Sequence, residues 1–241
     1  MVGTVLLAGF LASGDALARG VAFRPLTFVF VMLGWVLSVM AHEFSHALTA
    51  YLGGDVTVRQ KGYLSFDPRR YGDLGTSVVL PLIFLALGGI GFPGGAVYVR
   101  NDLMRGPLWR AGSALAGPAA TFALLLILQA AIGIAVGAGA DPALIAALAF
   151  LAFLQATALI LNLLPIPGLD GFGVIRPFLP QAWAPHIRRA EGLVMVALFL
   201  LIFLSPIGGR LLFGGGTALA AAMGVPVEAI RVGFESFRFW R

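Results

Sequence analysis

The chain has 241 residues, of which 59% are hydrophobic and only 11% are charged. Soluble domains carry about 25% charged residues, so this composition excludes an ordinary soluble domain and predicts a membrane protein. The chain contains no cysteine, which excludes disulfides and thiolate metal sites. Its net charge of +5 comes from basic residues scattered over short loops, and this distribution excludes a clustered nucleic-acid-binding patch.

Apolar segments long enough to cross a bilayer recur along the chain. About 20 apolar residues span a hydrocarbon core of about 30 Å. We therefore expect an all-α polytopic membrane protein with about five to six transmembrane helices, forming one domain over residues 1–241. Strong candidate spans lie at Phe28–Tyr51, Ala111–Gly137, Ala143–Leu164 and Leu193–Phe213, and weaker ones lie at Val2–Ala18 and Thr76–Val99.

The first strong span contains a cluster of ionisable residues. Residues 40–47 read M-A-H-E-F-S-H-A, so His42, Glu43 and His46 form an H-E-x-x-H pattern. Positions i and i+4 share one face of a helix, so both imidazoles can bind one cation while Glu43 takes a proton from the attacking water. The alternative, two core histidines beside a chance glutamate, has to explain ionisable groups buried among apolar residues, where they are costly and usually functional.

The segment after this helix predicts irregular structure. Residues 56–66 alternate branched or aromatic residues with polar ones, as a half-exposed strand does, although an ordinary interfacial hairpin explains the pattern equally well. Thr76–Val99 contains Pro81, Pro93 and five glycines, so it either spans the membrane or bends back before crossing. We expect a short β-hairpin or a re-entrant connector here.

The distribution of basic residues gives an orientation. If Thr76–Val99 does not cross, loops 53–110 and 170–190 share a side that holds ten Lys and Arg residues, against six on the other side. If all six segments cross, each side holds eight and the positive-inside rule decides nothing. The first arrangement predicts a multi-pass protein of the cell membrane whose site at His42 and His46 lies nearer the cytoplasmic face.

A catalytic zinc needs a third protein ligand, and the chain offers several candidates. Asp170 follows a long apolar helix, where Pro165 and Pro167 stop the helix and nearby glycines let the chain turn back. That run alone supports a metal ligand and a surface aspartate equally, but beside H-E-x-x-H it favours a ligand. His186 lies in a loop, where a histidine is usually solvated, and Glu191 would be the third ligand in a different class of membrane metallopeptidase.

The two motifs together resemble the site-2 protease family of intramembrane zinc metalloproteases. The family signature is H-E-x-x-H in one transmembrane helix and N-x-x-P-x-P-x-x-D-G in a later one. The chain matches the second motif at every fixed position from Asn162 to Gly171, and the resemblance covers about residues 25–180. Gly117-Pro118 also resembles a G-P element of the family, which often carries Asn where this chain has Thr121.

The resemblance implies a site and a reaction. One Zn²⁺ per chain would be held by His42, His46 and Asp170, with Glu43 as the catalytic acid and base. The substrate groove would be shaped by Asn162, Pro165 and Pro167.

The implied activity is hydrolysis of peptide bonds in or near transmembrane segments of membrane-protein substrates. The expected partners are such a protein or peptide and the lipid bilayer, with no nucleic acid. The alternatives are a proteolytically silent relative and a metal-binding membrane transporter. A transporter usually lines its path with ionisable groups on several helices, and this chain has almost none beyond the proposed site, which favours the hydrolase.

Overall fold

A computed structural model of the chain describes residues 23–65, 83, 85, 98–238 and 240. This part of the chain is helical and contains no β-strand. Its helices in chain order are α1 (Phe23–Gly53), α2 (Thr57–Gln60), α3 (Pro107–Gly137), α4 (Pro142–Asn162), α5 (Asp170–Ile175), α6 (Ala184–Leu204), α7 (Pro206–Ala222) and α8 (Val227–Phe237), with 3₁₀ turns at Arg176–Phe178 and Gln181–Trp183 between α5 and α6.

Three of these helices are long and apolar enough to cross a membrane, judged by length and composition. They are α1, α3 and α4, and they coincide with the first three strong spans predicted from the sequence. The expectation of an all-helical fold is confirmed for the described residues. The weaker predicted span Val2–Ala18 lies outside the described residues, as does nearly all of Thr76–Val99.

The fourth predicted span, Leu193–Phe213, is divided between two helices. The chain bends by 84° where α6 gives way to α7, so the pair supplies at most one further span. Pro206 has no N–H to continue the helix, and Ser205 before it is extended at φ −100° and ψ 126°. The Ser205 hydroxyl accepts a hydrogen bond from the backbone N–H of Ile207 at 3.3 Å and so starts a new helix.

Helix α4 is the centre of the bundle, and α3 lies at its outside. In α4, 72% of the most apolar 18-residue stretch is buried, and the helix contacts α1, α3, α7 and α8. The matching value for α3 is only 22%. An apolar outward face of this kind suits a helix that faces hydrocarbon, since lipid is as apolar as the side chains. Large apolar side chains exposed on α3 include Leu115, Phe122, Leu126, Ile127 and Ile134.

Small residues let neighbouring helices approach α4 closely. A Cβ atom added to Gly233 of α8 would lie 2.1 Å from the carbonyl oxygen of Ala146. One added to Gly216 of α7 would lie 2.3 Å from the Cγ2 of Thr157. Close backbone approach at small residues is a usual way for membrane helices to gain packing energy, because the hydrophobic effect does not drive them together within lipid.

The chain that follows α1 is held by one buried carboxylate. Asp55 is fully buried, and its Oδ1 accepts hydrogen bonds from the backbone N–H of Thr57 at 3.0 Å and from the Thr57 hydroxyl at 2.6 Å. This arrangement starts the helical turn α2, and residues 61–65 continue as turns. The strand predicted over 56–66 is therefore wrong for its described part. The alternating pattern could not reveal this because the local cap depends on Asp55, which lies just before the pattern.

The connector between α1 and α3 leaves and returns at the same end of the bundle. The backbone N–H of Arg100 donates to Oδ2 of Asp55 at 2.7 Å, and the N–H of Arg105 donates to the carbonyl of Gly53 at 2.9 Å. The side chain of Trp109, at the start of α3, lies beside Gly53. Helices α1 and α3 are consequently antiparallel, and both ends of the connector lie together.

Replacing Asp55 tests this anchor. We expect Asp55→Ala to lower the thermal unfolding temperature of the detergent-solubilised protein by several degrees, because two backbone donors lose a charged acceptor and such bonds contribute about 1.5 to 3 kcal/mol each. Asp102→Ala is the control. Arg100 bonds Asp102 at the surface and lowers the pKa of that carboxyl to about 2, but exposed pairs contribute little to stability. Equal shifts for both variants would contradict the anchor.

Candidate metal centre

Helix α1 presents two imidazoles to the same point. His42 and His46 are one helical turn apart, their rings are nearly perpendicular at 78°, and their centroids are 4.6 Å apart. Their Nε2 atoms are separated by 3.0 Å, and each residue is only 9% exposed. The i, i+4 spacing thus places both rings as the sequence predicted.

The third side chain arrives from the end of α4. The chain turns sharply after this helix, with Gly168 at a φ of +100°, a conformation that favours glycine. A Cβ atom at Gly171 would lie 2.2 Å from the carbonyl oxygen of Leu163, so the returning backbone touches the end of the helix it has just left. This tight return sets Asp170 at the start of α5, opposite the two imidazoles of α1.

The three side chains meet within hydrogen-bonding distance of one another. Oδ2 of Asp170 lies 3.1 Å from Nε2 of His42, and Oδ1 lies 3.3 Å from Nε2 of His46. Zinc bonds to nitrogen and oxygen are about 2.0–2.2 Å long, so neighbouring ligand atoms around a tetrahedral zinc are about 3.3 Å apart. The observed separations fit the edges of such a tetrahedron.

Hydrogen bonds on the far side of each ring orient the imidazoles. Nδ1 of His46 lies 2.7 Å from the carbonyl oxygen of Ser113, to which it donates, so a neutral His46 carries its lone pair on Nε2. That lone pair faces a carboxylate oxygen of Asp170, which is also an acceptor. A cation placed between the His46 lone pair and the Asp170 carboxylate attracts both groups and removes their mutual repulsion. The donor set therefore fits zinc. Nδ1 of His42 is held in the same way by the hydroxyl of Thr121 at 2.9 Å.

Helix α3 supplies these contacts because it approaches α1 at a glycine. A Cβ atom at Gly117 would lie 2.2 Å from Nε2 of His46 and 2.5 Å from Nε2 of His42. Ser113, Gly117 and Thr121 follow one another at intervals of four residues and are all buried, so they form one face of α3. The sequence motifs predict no role at the metal centre for these three residues. The four-residue spacing of small residues around Gly117-Pro118 was the signal available.

A cavity of about 500 Å³ opens beside the three side chains. Glu43 is 5% exposed and lines the cavity, and so does Asn162 at the last turn of α4. Pro165 and Pro167 do not line it, because they lie in the turn after α4, with Pro165 exposed. Both prolines shape the turn that carries Asp170, and their expected part in shaping a substrate groove stays a prediction.

The other candidate ligands lie apart from this centre. In the described part of the chain, the His, Asp and Glu side chains that can share one metal ion are those of His42, His46 and Asp170. His186 is exposed on α6 and does not join them, nor does Glu191 on the same helix. The geometry favours Asp170 over Glu191 as the third ligand.

Comparison with known proteins assigns the family. The chain is 43% identical over 243 residues to a protein of Mycobacterium tuberculosis strain H37Rv named "Putative zinc metalloprotease Rip2", with 97% of this chain and 92% of the relative covered. The chain belongs to the site-2 protease-like family of zinc metalloproteases. A Mycolicibacterium smegmatis protein with the same name is 39% identical over 249 residues, covering 98% of this chain and 92% of that relative.

A more distant relative agrees with this assignment. A Bacillus subtilis protein named "Putative zinc metalloprotease YwhC" is 27% identical over 199 residues, with 79% of this chain and 88% of the relative covered. No family model matches the chain, and no solved structure matches it either. The names of the relatives and the donor set around His42, His46 and Asp170 identify Zn²⁺ as the cofactor.

Gly117 tests the contact between α3 and the metal centre. We expect Gly117→Ala to reduce bound zinc well below one ion per chain, because the added methyl group overlaps both Nε2 atoms. Gly112→Ala is the matched control on the same helix, since its nearest neighbour is Thr49 Cγ2 at 4.0 Å. Zinc content by atomic emission of the purified proteins is the measurement. Equal zinc in the two variants would show that α3 does not constrain the site.

Thr121 tests the orientation of His42. We expect Thr121→Val, which keeps the shape but removes the hydroxyl, to weaken zinc binding about 10- to 100-fold, the usual effect of losing a hydrogen bond behind a ligating histidine. Thr157→Val is the control, because the Thr157 hydroxyl bonds the carbonyl of Leu154 within its own helix. Competition with a chelator of known affinity gives both dissociation constants. Unchanged affinity in the first variant would remove Thr121 from the site.

Proposed function

We propose that the protein is an intramembrane zinc metalloprotease that hydrolyses peptide bonds in or near transmembrane segments of membrane proteins. The observation that carries the proposal is a zinc-binding donor set beside a buried Glu43, in a cavity within a bundle of apolar helices. His46 and His42 lie 7 and 11 residues before the end of α1 at Gly53. At 1.5 Å per residue these positions are about 10 and 16 Å along the helix from its end, within a membrane-spanning segment.

The proposed roles follow from the chemistry of each group. His42, His46 and Asp170 hold the ion, which when bound acidifies a water molecule and polarises the scissile carbonyl. Glu43 accepts the proton of the attacking water on its carboxylate. It then donates that proton to the nitrogen of the leaving amine, as a general base followed by a general acid. Burial of the site excludes bulk water and strengthens these electrostatic effects.

The substrate has to reach the site as an extended chain. A peptide bond within a helix is enclosed by its own backbone hydrogen bonds, so the substrate unwinds locally before cleavage. We assign Asn162 a contact with the substrate backbone, because its buried side chain lines the cavity beside the metal centre. Pro165 and Pro167 act indirectly in this proposal, by fixing the turn that carries Asp170.

We also propose an orientation for a multi-pass protein of the cell membrane. Because the connector leaves α1 and reaches α3 at the same end of the bundle, the arrangement in which Thr76–Val99 does not cross is favoured. That arrangement gives the ten-to-six distribution of basic residues and puts the metal centre nearer the cytoplasmic face. The catalytic unit is then one domain over residues 1–241, with its core at about residues 25–180.

Glu43→Gln tests the proposed chemistry. We expect cleavage of a single-pass membrane substrate by the purified protein to fall about 10²- to 10⁴-fold, the usual contribution of a positioned acid and base, while bound zinc stays at one ion per chain. Glu191→Gln is the control and should cleave as wild type, because Glu191 does not line the cavity.

Two outcomes would contradict the proposal. Equal cleavage by wild type and Glu43→Gln would remove Glu43 from the chemistry. A wild-type protein that holds zinc and cleaves none of a panel of single-pass substrates would instead identify a proteolytically silent relative. Removal of zinc with a chelator should abolish cleavage, and added zinc should restore it.

A further inference from the structure

Three residues that line the cavity, Trp35, Gln155 and Arg110, each carry a buried side-chain N–H without a hydrogen-bond partner. Those of Trp35 and Gln155 belong to helices α1 and α4. Nε1 of Trp35 and Nε2 of Gln155 are inaccessible atoms without a hydrogen-bond partner, and their residues are 2% and 1% exposed. Both side chains line the cavity that contains the metal centre. Most buried polar groups in folded proteins are paired, since an unpaired one is costly, so unpaired donors on residues that line one cavity require an explanation.

Trp35 and Gln155 hold corresponding positions on their helices. Trp35 precedes His42 by seven residues on α1, and Gln155 precedes Asn162 by seven residues on α4. Seven residues are about two helical turns, so Trp35 lies about 10 Å along the axis from His42, and Gln155 lies about 10 Å along the axis from Asn162. Helix α3 is antiparallel to both α1 and α4, so α1 and α4 run in the same direction. Both displacements are therefore toward the same side of the site.

The chemistry of this part of the cavity selects a carbonyl group. Ser38 also lines this region, but its hydroxyl donates to the carbonyl of Gly34 in its own helix. Val39 and Ala158 offer no side-chain acceptor, while the indole and amide N–H groups can donate. A transmembrane substrate has mostly apolar side chains, so its backbone carbonyls, freed when its helix unwinds, are the acceptors available in this region. An extended chain advances about 3.3 Å per residue, so about 10 Å corresponds to about three residues.

We propose that Gln155, assisted by Trp35, donates a hydrogen bond to a backbone carbonyl of the unwound substrate about three residues from the scissile bond. The inference rests on the proposed function, and it names a substrate-positioning pair within that site. The side chains bind the substrate and take no part in bond breaking. Their N–H groups stay unpaired in the free protein because their partner is the substrate.

Gln155→Met tests the pair, because methionine keeps the length of the side chain and removes the donor. The probe is a fluorescently labelled single-span peptide with a central Gly-Pro pair, which eases unwinding. We expect KM to rise about threefold to tenfold with kcat within about twofold of wild type, as for an interaction of equal strength in the ground and transition states. In the Glu43→Gln background, the dissociation constant of the same peptide should rise by a similar factor. Trp35→Phe should shift both values in the same direction.

Stability and zinc content distinguish binding from a structural role. Gln155→Met should keep full zinc and unfold at the same temperature as wild type or higher, because it removes an unpaired buried amide. Gln129→Met on α3 is the matched control, since Gln129 is only half-buried and does not line the cavity. Its KM and peptide affinity should equal those of wild type.

The possible failures can be separated. If Glu43→Gln is inactive and Gln155→Met keeps wild-type KM and peptide affinity, the carbonyl contact is overturned while the protease assignment stands. A lower unfolding temperature or lost zinc in Gln155→Met would also overturn it, since Gln155 would then be structural. Cleavage by Glu43→Gln at the wild-type rate would instead overturn the proposed function, while the peptide affinities would still report on Gln155.

Discussion

The structure depends on one constraint: two imidazoles on a single helix must turn their Nε2 atoms toward the same point. Spacing along α1 brings the rings to one face but leaves their rotation free. The carbonyl of Ser113 and the hydroxyl of Thr121 remove that freedom by holding the opposite nitrogens. Helix α3 can supply both groups only because Gly117 brings its backbone against the rings. The metal centre is therefore a property of the contact between two helices.

The surroundings of this contact explain how a polar site persists in an apolar bundle. Helix α4 is buried on most sides, and α3 turns large apolar side chains outward, so the polar groups are gathered at the inner faces of α1, α3 and α4. Most of them are paired with one another across these faces. The donors of Trp35 and Gln155 are among the exceptions, and leaving them unpaired sacrifices stability. Such a sacrifice is usual where a protein keeps a group ready for a ligand.

The sequence predicted regular helices well and predicted interruptions less well. Apolar length was sufficient for α1, α3 and α4, because each is a long apolar run with very few charged residues. The run Leu193–Phe213 has the same length and composition, but Pro206 removes one backbone donor and Ser205 caps a new helix, so the chain bends. Residues 56–66 alternate like a strand, yet the buried carboxylate of Asp55 captures Thr57 and starts a helical turn. In both places local interactions of one or two residues outweigh a longer pattern.

What the sequence determined by itself is local. His42 and His46 share one face of α1 because their i, i+4 spacing matches the helical repeat. The prolines and glycines around Asp170 indicate a turn, because each restricts or frees the backbone of its own residue. The tertiary structure decided which face of α1 meets α3, and hence that Thr121 and Gly117 belong to the metal centre and that Gln155 is left without a partner. Those outcomes depend on atoms brought together from helices far apart in the chain, and no spacing within one helix encodes them.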